Sequence, residues 1–440
     1  MALVVLDTLR ADRTSLERLD RDTTPNLASL ADRGTVFSRA YSTSCWSLPA
    51  HASLLTGLRP SVHGAHYEHL ALPNDVPMLP EVLWAAGYQT AAFSANPLVA
   101  PGTGLGRGFT TFHEAWRRYT LREALFGWRV WHRFAAPDRD KGGREVVDGL
   151  RRWHAARDPG RPFFVLVNLM EAHAPYQEVQ RRWRRAFVDP SLTDADLERI
   201  GELSHMAQVF GTEVPEDQRA PTMDLLDGAT AAVDAYLGEL LEILGPEVIV
   251  IAVSDHGELL GEHGGMWGHN LGLYEPLVRV PMVVAGPGVV AGQTVPAPVS
   301  LVDVVPTVCG LAEVAGPPNE GRNLAPVLAG EPAEAERTAR AEHFRTDFLT
   351  SGWQVLRPFD DHTTVRARRS MAVRGTTKRV VTEDGGDRGY HLASDPDEAT
   401  PFSGTLTGLA VPLPTADERV ALIELDPVAS STLQALGYLR

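Results

Sequence analysis

Four short, nearly continuous apolar runs stand out along the chain: Ala2–Leu6 (ALVVL), Phe163–Asn168 (FFVLVN), Val248–Val253 (VIVIAV) and Val280–Ala285 (VPMVVA). Runs of this length that do not alternate with polar residues belong to strands buried on both faces of a parallel sheet. Between them, Asn26–Gly34, Pro80–Gly87, Asp224–Gly245 and Leu301–Leu311 read as helices. Apolar residues from Ala229 to Leu244 recur at helical spacing, and Gly245-Pro246 supplies the stop. Strands alternating with helices predict an α/β fold, a large and mainly parallel sheet covered by helices on both faces. Ligands in such folds bind beyond the carboxyl ends of the strands. Asp7, Asn168 and Asp255 fall there in this reading.

The texture changes after about Gly330. A charged Ala/Glu/Arg-rich segment, Glu331–Glu342, leads into short extended runs over Arg369–Val381 and then Gly385-Gly386. This predicts a smaller C-terminal α+β subdomain with an antiparallel sheet, dividing the chain into residues 1–330 and 331–440. Trp116–Phe134 is rich in Arg and Trp, with Leu121, Ala124, Leu125, Trp128 and Trp131 on one helical face. It reads either as an amphipathic surface helix or as a lid over an active site.

Composition narrows the function classes. Against 41 Lys and Arg stand 56 Asp and Glu, a formal charge of −15, and that field repels nucleic acid and anionic membranes. An anionic substrate must then be drawn in by a local positive feature such as a metal ion. The apolar runs are far below the ~20 residues of a membrane span. Only Cys45 and Cys309 are present, too few for a disulfide framework and compatible with a reducing compartment. No basic segment precedes the first apolar run, so the expectation is a cytoplasmic protein without a signal peptide. Nothing in the pattern fixes an oligomeric state.

Two clusters carry candidate chemistry. Asp7 ends the first strand and is followed by Thr8, Leu9, Arg10, Ala11 and Asp12. Ser254-Asp255-His256-Gly257-Glu258 follows the strand ending at Val253, with Glu262, His263 and His269 behind it. A carboxylate and an imidazole side by side after a buried strand commonly grip a divalent cation, although Asp-His there can equally cap the next helix. Asp12 reads as a support for its loop through Arg10, and Glu258 as a local cap or ion-pair partner.

The segment Ser47-Leu-Pro-Ala-His-Ala-Ser-Leu-Leu-Thr-Gly57 resembles the signature of the sulfatase family of the alkaline phosphatase superfamily. Ser47, Pro49, Ala50, Leu54, Leu55, Thr56 and Gly57 match its pattern. The resemblance runs on, in order, through Thr24–Leu27, Leu30–Phe37, His63-Gly64, Ser254–His263, Tyr274–Pro281, Asp303–Thr307, Tyr390–Glu398 and Leu436–Leu439. It implies a hydrolase that cleaves a sulfate ester by attack of the metal-bound residue 47 nucleophile. It further implies an alkaline phosphatase-like fold and one divalent cation held by Asp7, Ser47, Asp255 and His256. His173 and His269 would face the transferred group.

Three departures from the family pattern bear on the substrate. Thr8 stands where sulfatases carry a second acid, His256 stands where Asn is usual, and His51 replaces the Arg four residues after the nucleophile. Fewer carboxylates and more nitrogen weaken the case for the Ca²⁺ expected from sulfatase relatives and favour Mn²⁺ or Zn²⁺. In the family that Arg helps direct conversion of residue 47 to formylglycine, and Cys45 lies two residues too early to substitute. His51 therefore joins the catalytic candidates, and Ser47 is expected to act unmodified. The alternative reading is a phosphate or phosphonate mono- or diester hydrolase, or a phospho-transferase, on the same site. A non-catalytic relative that binds an anion is more remote. In either enzymatic reading the partner is a small anionic ester whose organic part the sequence does not reveal.

Overall fold

The computed structural model describes residues 1–17, 20–67, 69–117, 140–269, 271–345, 367–402 and 409–414. Ala2–Leu6 forms the middle of an eight-stranded sheet, paired in parallel with Phe163–Leu169 on one side and Val250–Val253 on the other. From edge to edge the strands are Gln293–Val295, Gly34–Phe37, Met282–Ala285, Val250–Val253, Ala2–Leu6, Phe163–Leu169, Gln89–Ser94 and Thr111–Glu114. Met282–Ala285 alone runs against its neighbours; the other pairings are parallel. The sheet is therefore mixed, with one reversed strand in an otherwise parallel set.

Side chains alternate across the sheet, so each central strand feeds two cores. Leu3, Val5, Phe164 and Leu166 pack with the buried residues of the helix Ser47–Thr56. Ala2, Val4, Leu6, Val165 and Val167 pack instead with apolar residues of Pro25–Asp32, Gly143–Ala156 and Glu216–Leu244. Both faces are dry, and this is why the runs are apolar throughout.

The expected strand Val280–Ala285 divides at Pro281. Arg279–Val280 pairs with Ala40–Tyr41 in a separate three-stranded sheet, while Met282–Ala285 joins the large one. Pro281 has no N–H to donate, and it marks the switch between sheets. The long helix begins at Glu216, earlier than the expected Asp224. Its first two turns are polar and contain Pro221, so no apolar stripe announces them. The helix expected over Leu301–Leu311 is a 3₁₀ turn, Leu301–Asp303, continuing into Val304–Ala312.

Towards the C-terminus, Thr338–His343, Arg369–Arg374, Thr377–Thr382 and Asp387–His391 form a four-stranded antiparallel sheet in chain order. Buried charges tie it to the larger sheet's surroundings. Lys378 Nζ lies 3.0 Å from Glu275 Oε1 and 2.8 Å from Glu398 Oε1. Glu342 accepts from Arg59 and from the backbone and hydroxyl of Ser61. The segment Trp116–Phe134 lies, beyond Arg117, outside the described residues. Both cysteines are free and buried. Among the described residues no helix is long and apolar enough to cross a membrane.

Candidate active site

Asp7 follows directly on the strand Ala2–Leu6, so its carboxylate emerges at the sheet's carboxyl edge. Asp7 Oδ2 accepts from Asn96 Nδ2 at 2.8 Å and from Asn168 Nδ2 at 2.9 Å. Thr8 then adopts a left-handed φ of 58°, a strained setting for a β-branched residue. Its N–H donates to Asp255 Oδ1 at 3.1 Å and its hydroxyl to the Asp7 carbonyl at 2.7 Å. The left-handed turn thus aims the backbone of one acid segment at the carboxylate of the other. Asp255 Oδ1 also accepts from the His256 N–H at 2.9 Å.

Each carboxylate keeps one buried oxygen, Asp7 Oδ1 and Asp255 Oδ2, without a hydrogen-bond partner. Burial, and then the charge of Asp255, hold the Asp7 carboxyl well above the ordinary carboxylate range, against the pull of Asn168 and Asn96. Two buried anions turned toward each other are costly unless a cation compensates them. One donor atom each of Asp7, His51 and Asp255 lie within 4.8 Å of one another. The residues therefore fit a divalent ion: two carboxylate oxygens that need a cation and an imidazole that burial keeps neutral.

His51 sits one helical turn after Ser47, and its Nδ1 lies 2.9 Å from the Ser47 carbonyl and 3.5 Å from Asp255 Oδ2. Its Nε2 is 3.2 Å from Asn168 Nδ2. His256 approaches from the opposite segment. Its Nδ1 is 2.9 Å from the Gly257 carbonyl, which assigns the proton to that nitrogen and leaves Nε2 as acceptor. Nε2 stands 3.1 Å from Ser47 Oγ and 3.4 Å from Asp255 Oδ2.

Ser47 opens the helix Ser47–Thr56, whose ten residues are all buried. Free N–H groups of a first turn favour an anion, and Pro49 loses nothing there by lacking one. His269 faces His256 with ring centroids 4.7 Å apart, and His173 faces His269 at 5.1 Å. Burial, aided by Lys141, pushes the His173 imidazole down to about 3. Burial, then His256 and His173, push His269 far below its usual value. Both present neutral rings at neutral pH.

Lys141 is a neighbour that sequence reasoning did not single out. Its Nζ donates to the Glu171 and His173 carbonyls. Burial brings its ammonium down to about 8, while Glu178, Glu171, Glu258 and Asp7 pull the other way. No periodicity or motif marks this lysine, which precedes Gly142-Gly143 at a helix start. Asn96 was likewise unmarked. Arg10 spans the outer edge: it forks onto Asp12, reaches Glu262 Oε1 at 2.7 Å and donates to the Glu258 carbonyl. His263 turns away to stack on Tyr274 at 3.7 Å. A cavity of about 800 Å³ opens beside Arg10 and Glu262, with Arg39, Arg279 and Glu275 on its walls.

An eight-stranded mixed sheet with acids at its carboxyl edge and a serine on an adjoining helix defines the alkaline phosphatase-like class. Within it the chain belongs to the sulfatase family, matched over residues 1–314, and is a hydrolase of ester bonds. It is 26% identical over 357 residues to an endo-4-O-sulfatase of Bacteroides thetaiotaomicron, covering 72% of this chain and 68% of the relative. A choline-sulfatase of Rhizobium meliloti is 26% identical over 372 residues, covering 72% and 70%. The fold is also similar to that of a phosphonate monoester hydrolase of Agrobacterium radiobacter. The TM-score there is 0.69 at 23% identity, over 91% of this chain and 90% of the other. Sulfatases generally depend on a divalent metal, and Asp7, His51 and Asp255 are candidate ligands here.

Proposed function

We propose that the protein hydrolyses a sulfate ester of a small organic molecule, with Ser47 as nucleophile. The observation that carries this reading is Ser47 Oγ on a buried helix start, 3.1 Å from His256 Nε2 and beside the Asp7–Asp255 pair. Asp7, Asp255 and His51 would hold a divalent cation, with His256 and Ser47 next to it. When bound, the cation would polarise the ester and offset charge on its oxygens. His256 Nε2 accepts the Ser47 hydroxyl proton as Oγ attacks sulfur. The Oγ–S bond forms and the bond from sulfur to the leaving oxygen breaks. The alcohol departs with the proton that His256 took from Ser47, while His269 and His173 face the site as neutral rings. Water then cleaves the seryl ester, releasing sulfate and restoring Ser47. Asn96 and Asn168 fix Asp7, and Lys141 holds the His173 loop through its carbonyls.

A second reading, hydrolysis of a phosphate or phosphonate ester by unmodified Ser47, is favoured by His51 in the position of the family's arginine. The nitrogen it adds also supports Mn²⁺ or Zn²⁺ over Ca²⁺. We also propose the division at about residue 330, with the four-stranded sheet as a unit that completes the catalytic one. The deciding experiment compares rates on aryl sulfate, phosphate and phosphonate esters after reconstitution with each metal. Faster turnover of sulfate supports the first reading, and of phosphonate the second. Ser47→Ala should abolish turnover in both. Peptide mass at position 47 completes the test, since formylglycine there would replace the serine chemistry described.

A further inference from the structure

Five cationic side chains are buried among the described residues, and four have carboxylate partners. Arg10 has Asp12 and Glu262, Arg184 has Glu198, Arg337 has Asp303, and Lys378 has Glu275 and Glu398. Arg369, only 5% exposed, has none: its Nε makes no hydrogen bond, and one terminal nitrogen donates to the Leu271 carbonyl at 3.2 Å. A guanidinium stays charged under all ordinary conditions, so a positive charge is buried here with no direct ion pair, the Asp384 carboxylate of the same recess acting on it only at longer range.

Space for a counter-ion adjoins it. Arg369 lines a cavity of about 290 Å³ together with Arg388, Thr382, Gly385 and Gly386. Gly272 leaves the guanidinium its room, because a Cβ there would stand 2.6 Å from a terminal nitrogen of Arg369. Asp384, the carboxylate in this lining, is turned onto the Thr382 hydroxyl and the Gly386 N–H. Arg388 forms no ion pair among the described residues either. Two arginines, one buried and one exposed, thus line a single recess together with Gly385 and Gly386. Guanidinium forks match the planar or tetrahedral edge of an oxyanion.

We propose that the recess between Arg369 and Arg388 is an oxyanion-binding site for a sulfate, phosphate or carboxylate group. The anion is either free in solution or a second charged group carried by the ester substrate. The segment that accepts from Arg369 at Leu271 begins two residues after His269, which links the recess to the site.

Crystals of the full chain soaked in selenate, with diffraction read at the selenium edge, locate the anion independently of any ester hydrolysis. The expected result is a selenium peak against Arg369 and Arg388 that disappears in Arg369→Gln and in Arg388→Ala. The second variant alters an exposed strand residue and guards against misfolding of the first. Selenium found only beside Asp7 and Asp255, or a recess peak that survives both substitutions, overturns the proposal. Kinetics then separate the sources. If the substrate supplies the anion, Arg388→Ala raises KM about tenfold for an aryl sulfate bearing an added carboxylate. The plain aryl sulfate is unaffected, and kcat is unchanged for both. An unchanged KM for both compounds, with selenium bound in the recess, assigns the site to a free anion.

Discussion

Asp7 and Asp255 each bring a buried oxygen to the site with no proton donor on it, so a protein stripped of metal carries unrelieved repulsion there. Asp7→Asn removes one of the two charges. In chelator this variant should melt at or above the wild type, by up to about 1–3 kcal/mol. It should also lose most of the thermal stabilisation that Mn²⁺ or Zn²⁺ gives the wild type, which differential scanning fluorimetry would register. Glu258 offers a separate test by pH. Burial raises its carboxyl from 4.5 to about 7, although the Tyr176 hydroxyl donates to it at 2.6 Å. The folded chain therefore holds this proton more tightly than the unfolded one, so stability falls as pH rises from about 4.5 to 7. Glu258→Gln should gain on the wild type across that window by on the order of 2–3 kcal/mol, measured by urea unfolding. Asp7, Ser47 and Asp255 are legible in the sequence because strand ends and a signature mark them. Asn96 and Lys141 are not, because a lone amide or ammonium has no pattern and acquires its partner only when distant segments meet.

At the scale of elements, an apolar run announces a strand but not its direction. Ala2–Leu6 and Met282–Ala285 are equally dry, and only the pairing shows that the second runs backwards. Pattern likewise fails for the first turns of Glu216–Leu244, where polar residues surround Pro221. The helix that carries Ser47 is bounded more sharply. It ends at Gly57 with φ 71°, and a Cβ there would meet Asn319 Cβ at 2.7 Å and Val305 Cβ at 3.1 Å. Gly57→Ala combines a left-handed penalty with overpacking and should cost about 2 kcal/mol or more, read from the urea midpoint. Because the helix also positions Ser47, kcat on the preferred ester should fall with it.

Across the whole molecule, the four-stranded sheet is fastened by a charge cluster as well as by apolar contact. Lys378 is fully buried between Glu275, on the segment following His269, and Glu398, beyond the last strand. Lys378→Met would leave Glu398 buried without a cation and Glu275 with only Arg279, 3.8 Å away, and should cost about 3–5 kcal/mol, measured by chemical denaturation. The antiparallel character of this region was readable from its short runs and paired glycines. Its fastening was not, since Lys378 looks like any lysine of a surface strand until Glu275 and Glu398 close over it.

The helix Ser47–Thr56 has no residue facing solvent, and that bears on how such a chain ages. On a surface helix, half the positions can drift at little cost. Here all ten are held by neighbours on every side, so neutral change has nowhere to collect. Sequence identity to the endo-4-O-sulfatase is only 26%, yet seven of the eleven residues from Ser47 to Gly57 fit the signature pattern that the family resemblance rests on. The helix's packing would act as an archive: on the proposed reading, the segment that bears the nucleophile is also the one where a substitution is hardest to absorb.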